Sequence, residues 1–286
     1  MSISRRLGCS TITFRGLPLP QALATIGDLG FAEIDLGALP GVCDHVPYVL
    51  DEAAVRRIAS DVAATGLRVR SVNGDVGDLN HVLAGPAQRE RHQHLDQLLS
   101  LTAAVGAQAL VLPNGALDHE PVRTLAEDVA QVAAQLTDAA ERAADRGLEL
   151  WVESLHLLRL CHTLERAELL TEALAGTDVG VVLDLSHVVA SGARPEECVA
   201  LFSDRIRHVH LRDATPGYIH HSIGNGVVDF PAALHALAEV GYAGHFTLEL
   251  ETRDVADPDR PAATATAARY ISGLLDAAFD RLTAPA

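Results

Sequence analysis

Aromatic side chains are scarce in this chain, at 4% of 286 residues with a single tryptophan. A core poor in large rings must be filled by aliphatic groups, and hydrophobic residues still make up 48% of the sequence. Ala, Leu and Val should therefore pack most of the helices. Positive charge is also in short supply. Twenty-two Arg and Lys stand against 38 Asp and Glu, a formal net charge of −16. Such a surface repels nucleic-acid backbones and anionic membranes, since binding either requires clustered cations. No nucleic-acid or membrane partner is expected. The four cysteines, Cys9, Cys43, Cys161 and Cys198, lack CxxC spacing. No disulfide framework is implied, and they read as reduced thiols of a cytoplasmic protein. No apolar run reaches the roughly 20 residues of a membrane-spanning helix. The N-terminal "MSISRRLGCSTITF" has two arginines with no long apolar stretch behind them, so no signal peptide is read.

What the chain does have is alternation. Short apolar runs, bounded at 6–13, 31–37, 67–73, 108–114, 148–154, 179–185, 206–212 and 245–251, read as buried parallel strands. Longer Ala/Leu-rich amphipathic segments lie between them, for example 18–29, 51–65, 86–105, 119–146 and 163–175. Gly in "DLG", "ATG", "AVG", "DRG" and "EVG" falls just before a strand, where a helix C-terminus calls for a left-handed residue. Eight strand–helix pairs in one chain match an α/β fold of the (β/α)₈ type, typically about 250 residues. A doubly wound open sheet would carry a Gly-rich phosphate loop after its first strand, and "STITFRG" is not one. No linker divides the chain, so residues 1–286 are read as a single barrel domain, with the eighth helix in "ADPDRPAATATAARYISGLLDAAF".

Reactive groups in such a barrel lie at the C-terminal ends of the strands. Strands five to eight end in Glu153, Asp184, His210 and Glu249, and strands two to four near Asp35, Asn73 and Asn114. Three carboxylates converging with one imidazole repel one another unless a cation is present. An oxygen-rich shell with one nitrogen suits Mn²⁺, with Mg²⁺, Co²⁺ or Zn²⁺ as alternatives. Each residue also has an ordinary reading. Glu153 can form a salt bridge, Asp184 can cap the turn that follows it, His210 can be a satisfied core histidine, and Glu249 can face solvent beside Glu251.

The segments "WVESLH", "VVLDLSH", "HVHLRDA", "HHSIGNGVVDF" and "GYAGHFTLELE", in this order, resemble the xylose isomerase-like TIM-barrel superfamily. That group includes sugar isomerases and epimerases, inosose and dehydroshikimate dehydratases, and apurinic endonucleases. The resemblance covers nearly the whole chain and is strongest over 148–251. It implies one divalent metal ion held by Glu153, Asp184, His210 and Glu249, with His187 contacting substrate. It further implies that Glu153 and Glu249 flank an α-hydroxyketone as an acid/base pair, acting through an enediolate. Proton return then gives an epimer or an isomer, and loss of a β-hydroxyl gives a dehydratase. The expectation is a metal-dependent isomerase or epimerase of a sugar or sugar derivative. A lyase is the alternative, and a non-catalytic binding subunit is the third class.

Departures from the family pattern bear on the substrate. The ketose 3-epimerase branch carries a second Glu where this chain has Arg159, and an Arg where it has Pro216. Here Arg212 and Asp213 follow His210 in "HLRD". The endonuclease branch has an Asp-x-His that falls on Tyr218-Ile219-His220, so its Asp is missing. Further substrate contacts are expected from His156, Arg159, Arg212 and His220. His221, His45 and Arg15 are loop residues within reach of the cleft, and "IGNGVVDF" is a Gly-rich turn in the part of the barrel where phosphate can bind. A homodimer is expected only as the commonest arrangement of soluble oligomers.

Overall fold

The computed structural model describes residues 3–279. Their barrel strands are β1 (Leu7–Ser10), β2 (Glu33–Ala38), β3 (Arg68–Gly74), β4 (Ala109–Pro113), β5 (Glu149–Glu153), β6 (Gly180–Asp184) and β7 (Ile206–Leu211). A short antiparallel hairpin follows, β8 (Asp213–Thr215) and β9 (Tyr218–His221), before the last barrel strand, β10 (His245–Leu248). The barrel closes in the order β1-β10-β7-β6-β5-β4-β3-β2, with every pairing parallel. This is the (β/α)₈ barrel that the alternation predicts. The helices are α1 (Leu19–Asp28), α2 (Glu52–Ala63), α3 (Gly85–Ala104), α4 (Leu125–Ala144), α5 (Leu164–Ala173), α6 (Leu185–Ala190), α7 (Pro195–Phe202), α8 (Phe230–Glu239) and α9 (Arg260–Phe279).

Three boundaries differ clearly from expectation. The last strand ends at Leu248 rather than running to residue 251, so Glu249 and Glu251 lie just past it. The first strand stops at Ser10 rather than running to residue 13, because the Ser10 hydroxyl accepts from the Ile12 amide and turns Thr11–Phe14 into a 3-10 helix. Residues 119–124 are loop rather than helix. The capping box formed by Thr124 and Glu127 sets the start of α4 at Leu125.

Two apolar clusters hold the molecule together. The larger lies between the strands and the surrounding helices and draws on nearly every element. The smaller, Ala109, Val111, Trp151 and Val182, fills the inside of the barrel along β4 to β6. Trp151 fits there because Gly180 faces it, and a Cβ at that position would clash with the indole and with Arg207. On the opposite inner wall the fill is polar. His208 meets Asp35 Oδ2 at 2.7 Å and Thr247 Oγ1 at 3.1 Å.

Candidate metal centre at the strand ends

Side chains alternate along a strand, so inward positions recur every second residue. On β7 this places His208, then His210, on the inner wall, with Arg212 next in line. Register pairs His210 with Asp184 on one side and with Thr247 on the other. Glu249, two residues beyond Thr247, keeps the ladder geometry, its amide bonding to Leu211 O at 3.2 Å. Glu153 closes β5. Together these elements bring Glu153, Asp184, His210 and Glu249 to one cup, with ligand-type atoms all within 4.8 Å of one another.

Each member is held from behind. Asp184 serves as the N-cap of α6, its Oδ1 accepting from Ser186 N at 2.7 Å and Ser186 Oγ at 2.6 Å. The capping role and the cup-facing role thus fall to different oxygens of one carboxylate, with Oδ2 turned to Arg212 Nη2 at 3.1 Å. His210 Nε2 lies 3.3 Å from Asp35 Oδ2, and its Nδ1 lies 3.5 Å from Glu249 Oε2. A carboxylate behind an imidazole fixes which nitrogen points forward. Asn73 donates to Glu249 Oε1 at 3.1 Å.

The donor set fits a divalent cation. Three carboxylates and one imidazole, all buried residues, meet there, and Glu153 Oε1 and both ring nitrogens of His210 are buried without a well-formed hydrogen bond. Buried polar atoms left in this state are costly and call for a partner. Burial, followed by the charge of Glu249, pushes the Glu153 carboxyl up to about 8. Burial raises Glu249 as well, against the pull of His210 and Arg212. For His210 burial opposes the charged form, but Glu249 and Asp35 outweigh it and raise the imidazole to about 10. Without a cation, protons on Glu153 and His210 take its place, neutralising the carboxyl and making the imidazole cationic. A bound divalent ion reverses that, favouring ionised carboxylates and a neutral imidazole.

Beside the cup, His187 Nε2 lies 3.5 Å from Glu153 Oε1. The His187 Nδ1 accepts from Leu157 N at 3.1 Å, and His156 Nδ1 accepts from Leu158 N at 3.2 Å. Both rings are therefore neutral with the proton on Nε2, and burial holds both well below the usual histidine range. The two rings stack with centroids 3.8 Å apart.

A cleft of 160 Å³ opens over the cup, and Glu153, His156, Arg159, His187, Arg212 and Glu249 all line it. His220 stands behind Glu251, bonded through Nδ1 to its carbonyl at 2.9 Å, and is not part of that lining. His221 meets Thr215 Oγ1 at 3.2 Å within the hairpin. His45 turns away, spent on Leu17 O at 2.9 Å and on Cys43 Sγ. Arg15 reaches the mouth through Glu251, at 2.6 Å. Sequence reasoning passed over Asp75 and Glu251 as site residues. The signal for both was the two-residue spacing carried just past the strand ends, Asp75 after Asn73 and Glu251 after Glu249.

Comparison with known proteins agrees with this architecture. The chain matches the xylose isomerase-like TIM barrel family over residues 22–274. It is 26% identical over 261 residues to the rhizopine catabolism protein MocC of Rhizobium meliloti, covering 82% of this chain and 75% of that protein. It is 28% identical over 134 residues to an inosose dehydratase of Clostridium botulinum, covering 41% of this chain and 45% of the enzyme, so the chain matches less than half of that relative's length. Among solved structures, an L-ribulose 3-epimerase superposes with a TM-score of 0.76 at 23% identity, covering 97% of this chain and 96% of the other, a likeness of fold. A family match that takes in all but the ends of the chain, on a closed parallel barrel, makes this protein a member of the xylose isomerase-like TIM barrel family.

Proposed function

We propose that the chain is a metal-dependent isomerase or epimerase of a sugar or sugar derivative, moving a proton next to a carbonyl between Glu153 and Glu249. The observation that carries this reading is the state of Glu153. Its carboxyl is buried among the ligand-type atoms of Asp184, His210 and Glu249, and its Oε1 has no hydrogen bond and lies 3.5 Å from His187 Nε2. A carboxylate oxygen left without a donor beside the reacting centre suits a general base. Glu249 enters from β10, on the other side of Asp184 and His210 in the barrel order.

Glu153, Asp184, His210 and Glu249 are the residues that would hold the ion. Bound there, a divalent cation supplies Lewis-acid polarisation of a carbonyl. The chain's own groups do the rest. One glutamate takes the C–H proton, and the other returns a proton from its own side. His187 and His156 present Nε2–H donors to substrate oxygens. Arg212 holds Asp184 in place and screens it from Glu249. A lysine Schiff base is ruled out, because all 22 Lys and Arg positions of this chain are arginine.

Dehydration is the second reading. His156, stacked on His187 beside Glu153, offers a further proton donor for a leaving hydroxyl, and one of the relatives is named an inosose dehydratase. The test is NMR in D₂O of Mn²⁺-loaded protein with ketohexoses and keto-inositols. Deuterium uptake at carbon without loss of water is expected. An absorbing enone would move the assignment to the lyase. No exchange with any metal or carbonyl substrate, together with no metal retained by the purified protein, would refute both.

A further inference from the structure

We infer that the cleft takes an uncharged polyhydroxy carbonyl compound of about monosaccharide size and selects against phosphate esters and sugar acids. The inference rests on the metal-dependent reading above and names its substrate class.

The first ground is charge matching. Two guanidiniums line the cleft among the described residues, and each already has a carboxylate partner. Arg159 Nη2 meets Asp75 Oδ2 at 2.6 Å, and its Nη1 is spent on Gly115 O at 3.0 Å. Arg212 is shared between Asp184 Oδ2 at 3.1 Å and Glu251 Oε2 at 3.5 Å, with Nε on Ser186 Oγ at 2.9 Å. The cation behind them, Arg15, is on Glu251 Oε1 at 2.6 Å. Around the site, then, Asp35, Asp75, Glu153, Asp184, Glu249 and Glu251 face Arg15, Arg159 and Arg212. One divalent cation would offset two of the three unmatched negative charges and leave the surroundings negative. An anionic substrate would add uncompensated negative charge in a buried setting, where like charges repel strongly. The two histidines over the cup add none, since each accepts a backbone N–H.

The second ground is the Gly-rich turn at 223–230, where this kind of barrel can bind phosphate. The amides of Gly224, Asn225, Val227, Val228 and Phe230 are already bonded. Asp213 Oδ2 accepts from Gly224 N at 2.8 Å, and Asp213 Oδ1 accepts from Val228 N at 3.0 Å and from Ala214 N at 2.9 Å. Gly226 is pressed so closely on Asp213 and Ala214 that a Cβ there would collide with both. An internal carboxylate thus holds two of the turn's amides that an anion would otherwise need.

The third ground is shape. The cleft of 160 Å³ is well under the roughly 300–1,000 Å³ of drug-sized pockets. Leu39, Pro40, Val42, Leu117 and Leu158 add apolar surface to its polar lining. That suits the C–H face of one sugar or cyclitol ring.

Binding measurements test the inference independently of turnover. Mg²⁺-loaded full-length protein is titrated calorimetrically with inorganic phosphate and with D-gluconate, and the same titrations are run on Asp75→Asn. The wild type is expected to bind neither more tightly than about 10 mM. Asp75→Asn, which releases Arg159, is expected to bind each at least fivefold more tightly. In D₂O exchange with Mn²⁺-loaded wild type, D-fructose is expected to exceed D-fructose 6-phosphate by at least tenfold. Sub-millimolar binding of either anion by the wild type, an unchanged Asp75→Asn, or preference for the phosphate ester would each overturn the inference. If no carbonyl compound exchanges, the metal-dependent reading fails, while the anion titrations still decide whether the cleft rejects negative charge.

Discussion

Strands β5, β6 and β7 and the end of β10 bring Glu153, Asp184, His210 and Glu249 to the cup, whereas β3 and β4 bring Asn73 and Asn114 to the same face. The four ligand-type residues of the cup come from one side, and β3 and β4 add neutral amides from the other. The amides are not idle. Asn73 orients Glu249, and Asn114 donates to Glu153 O at 3.0 Å and to Cys161 O at 3.3 Å, tying the start of the β5 loop to β4. The contrast shows how a barrel concentrates charge without destabilising itself. An amide donor holds a carboxylate in place without adding to the net charge, so the balance at the cup depends on one half of the ring.

The largest effect expected from this division is on pH dependence. Glu153 at about 8 and His210 at about 10 both lie above their unfolded values, roughly 4.3 and 6.5. Metal binding must displace both protons, so affinity should rise up to about a hundredfold per pH unit below pH 8, and about tenfold per unit from there towards pH 10. Calorimetry in buffers of different ionisation enthalpy should count about two protons released. Both pKa values are raised, so their stabilising contribution is complete at low pH and is lost as pH rises through them. Metal-free protein should therefore melt at lower temperature at pH 9 than at pH 6, and added Mn²⁺ should restore more at pH 9. A metal affinity flat across this range would contradict the proposed cup.

Next in size are the glutamates. Glu153→Gln and Glu249→Gln should each lower kcat about 10²–10⁴-fold at saturating metal, measured by steady-state kinetics once a substrate is in hand. Near-wild-type turnover in both variants would remove the pair from the chemistry. Asp184→Asn should weaken metal binding by about 10²–10³-fold, because it leaves Arg212 facing a neutral amide, while circular dichroism stays that of a folded barrel. Full metal content in that variant would count against the assignment. On the amide side, Asn73→Ala should cost roughly 10–100-fold in metal affinity, and the smaller figure is expected because it touches Glu249 alone.

The charged half was more legible in the sequence than the neutral half, for a physical reason. Apolar runs of strand length that end in Glu, Asp or His advertise both an element and a site, so the eight barrel strands and the residues of the cup emerge from local pattern. The hairpin of β8 and β9 did not, because each strand is too short for alternation to register. Its geometry depends on Asp213 reaching forward to the amides of Gly224 and Val228. The Arg159–Asp75 pair joins residues 84 positions apart, which no window of sequence contains. His45 was expected within reach of the cleft, yet Leu17 O turns it away. A loop residue's direction is decided by partners that only the folded chain supplies.

On β7, His208, His210 and Arg212 form a column of alternate residues. The first belongs to the polar fill with Asp35 and Thr247, the second to the cup, and the third to the cleft between Asp184 and Glu251. A column set by the pleat has no independent parts. Inserting or deleting one residue early in that strand would turn all three outward and bring Val209 and Leu211 inward. Mutational drift can therefore retune one tier at a time by substitution, but can never slide the column. Transplanting this site onto another barrel would mean carrying the strand across whole, in register with β6 and β10, rather than copying three side chains.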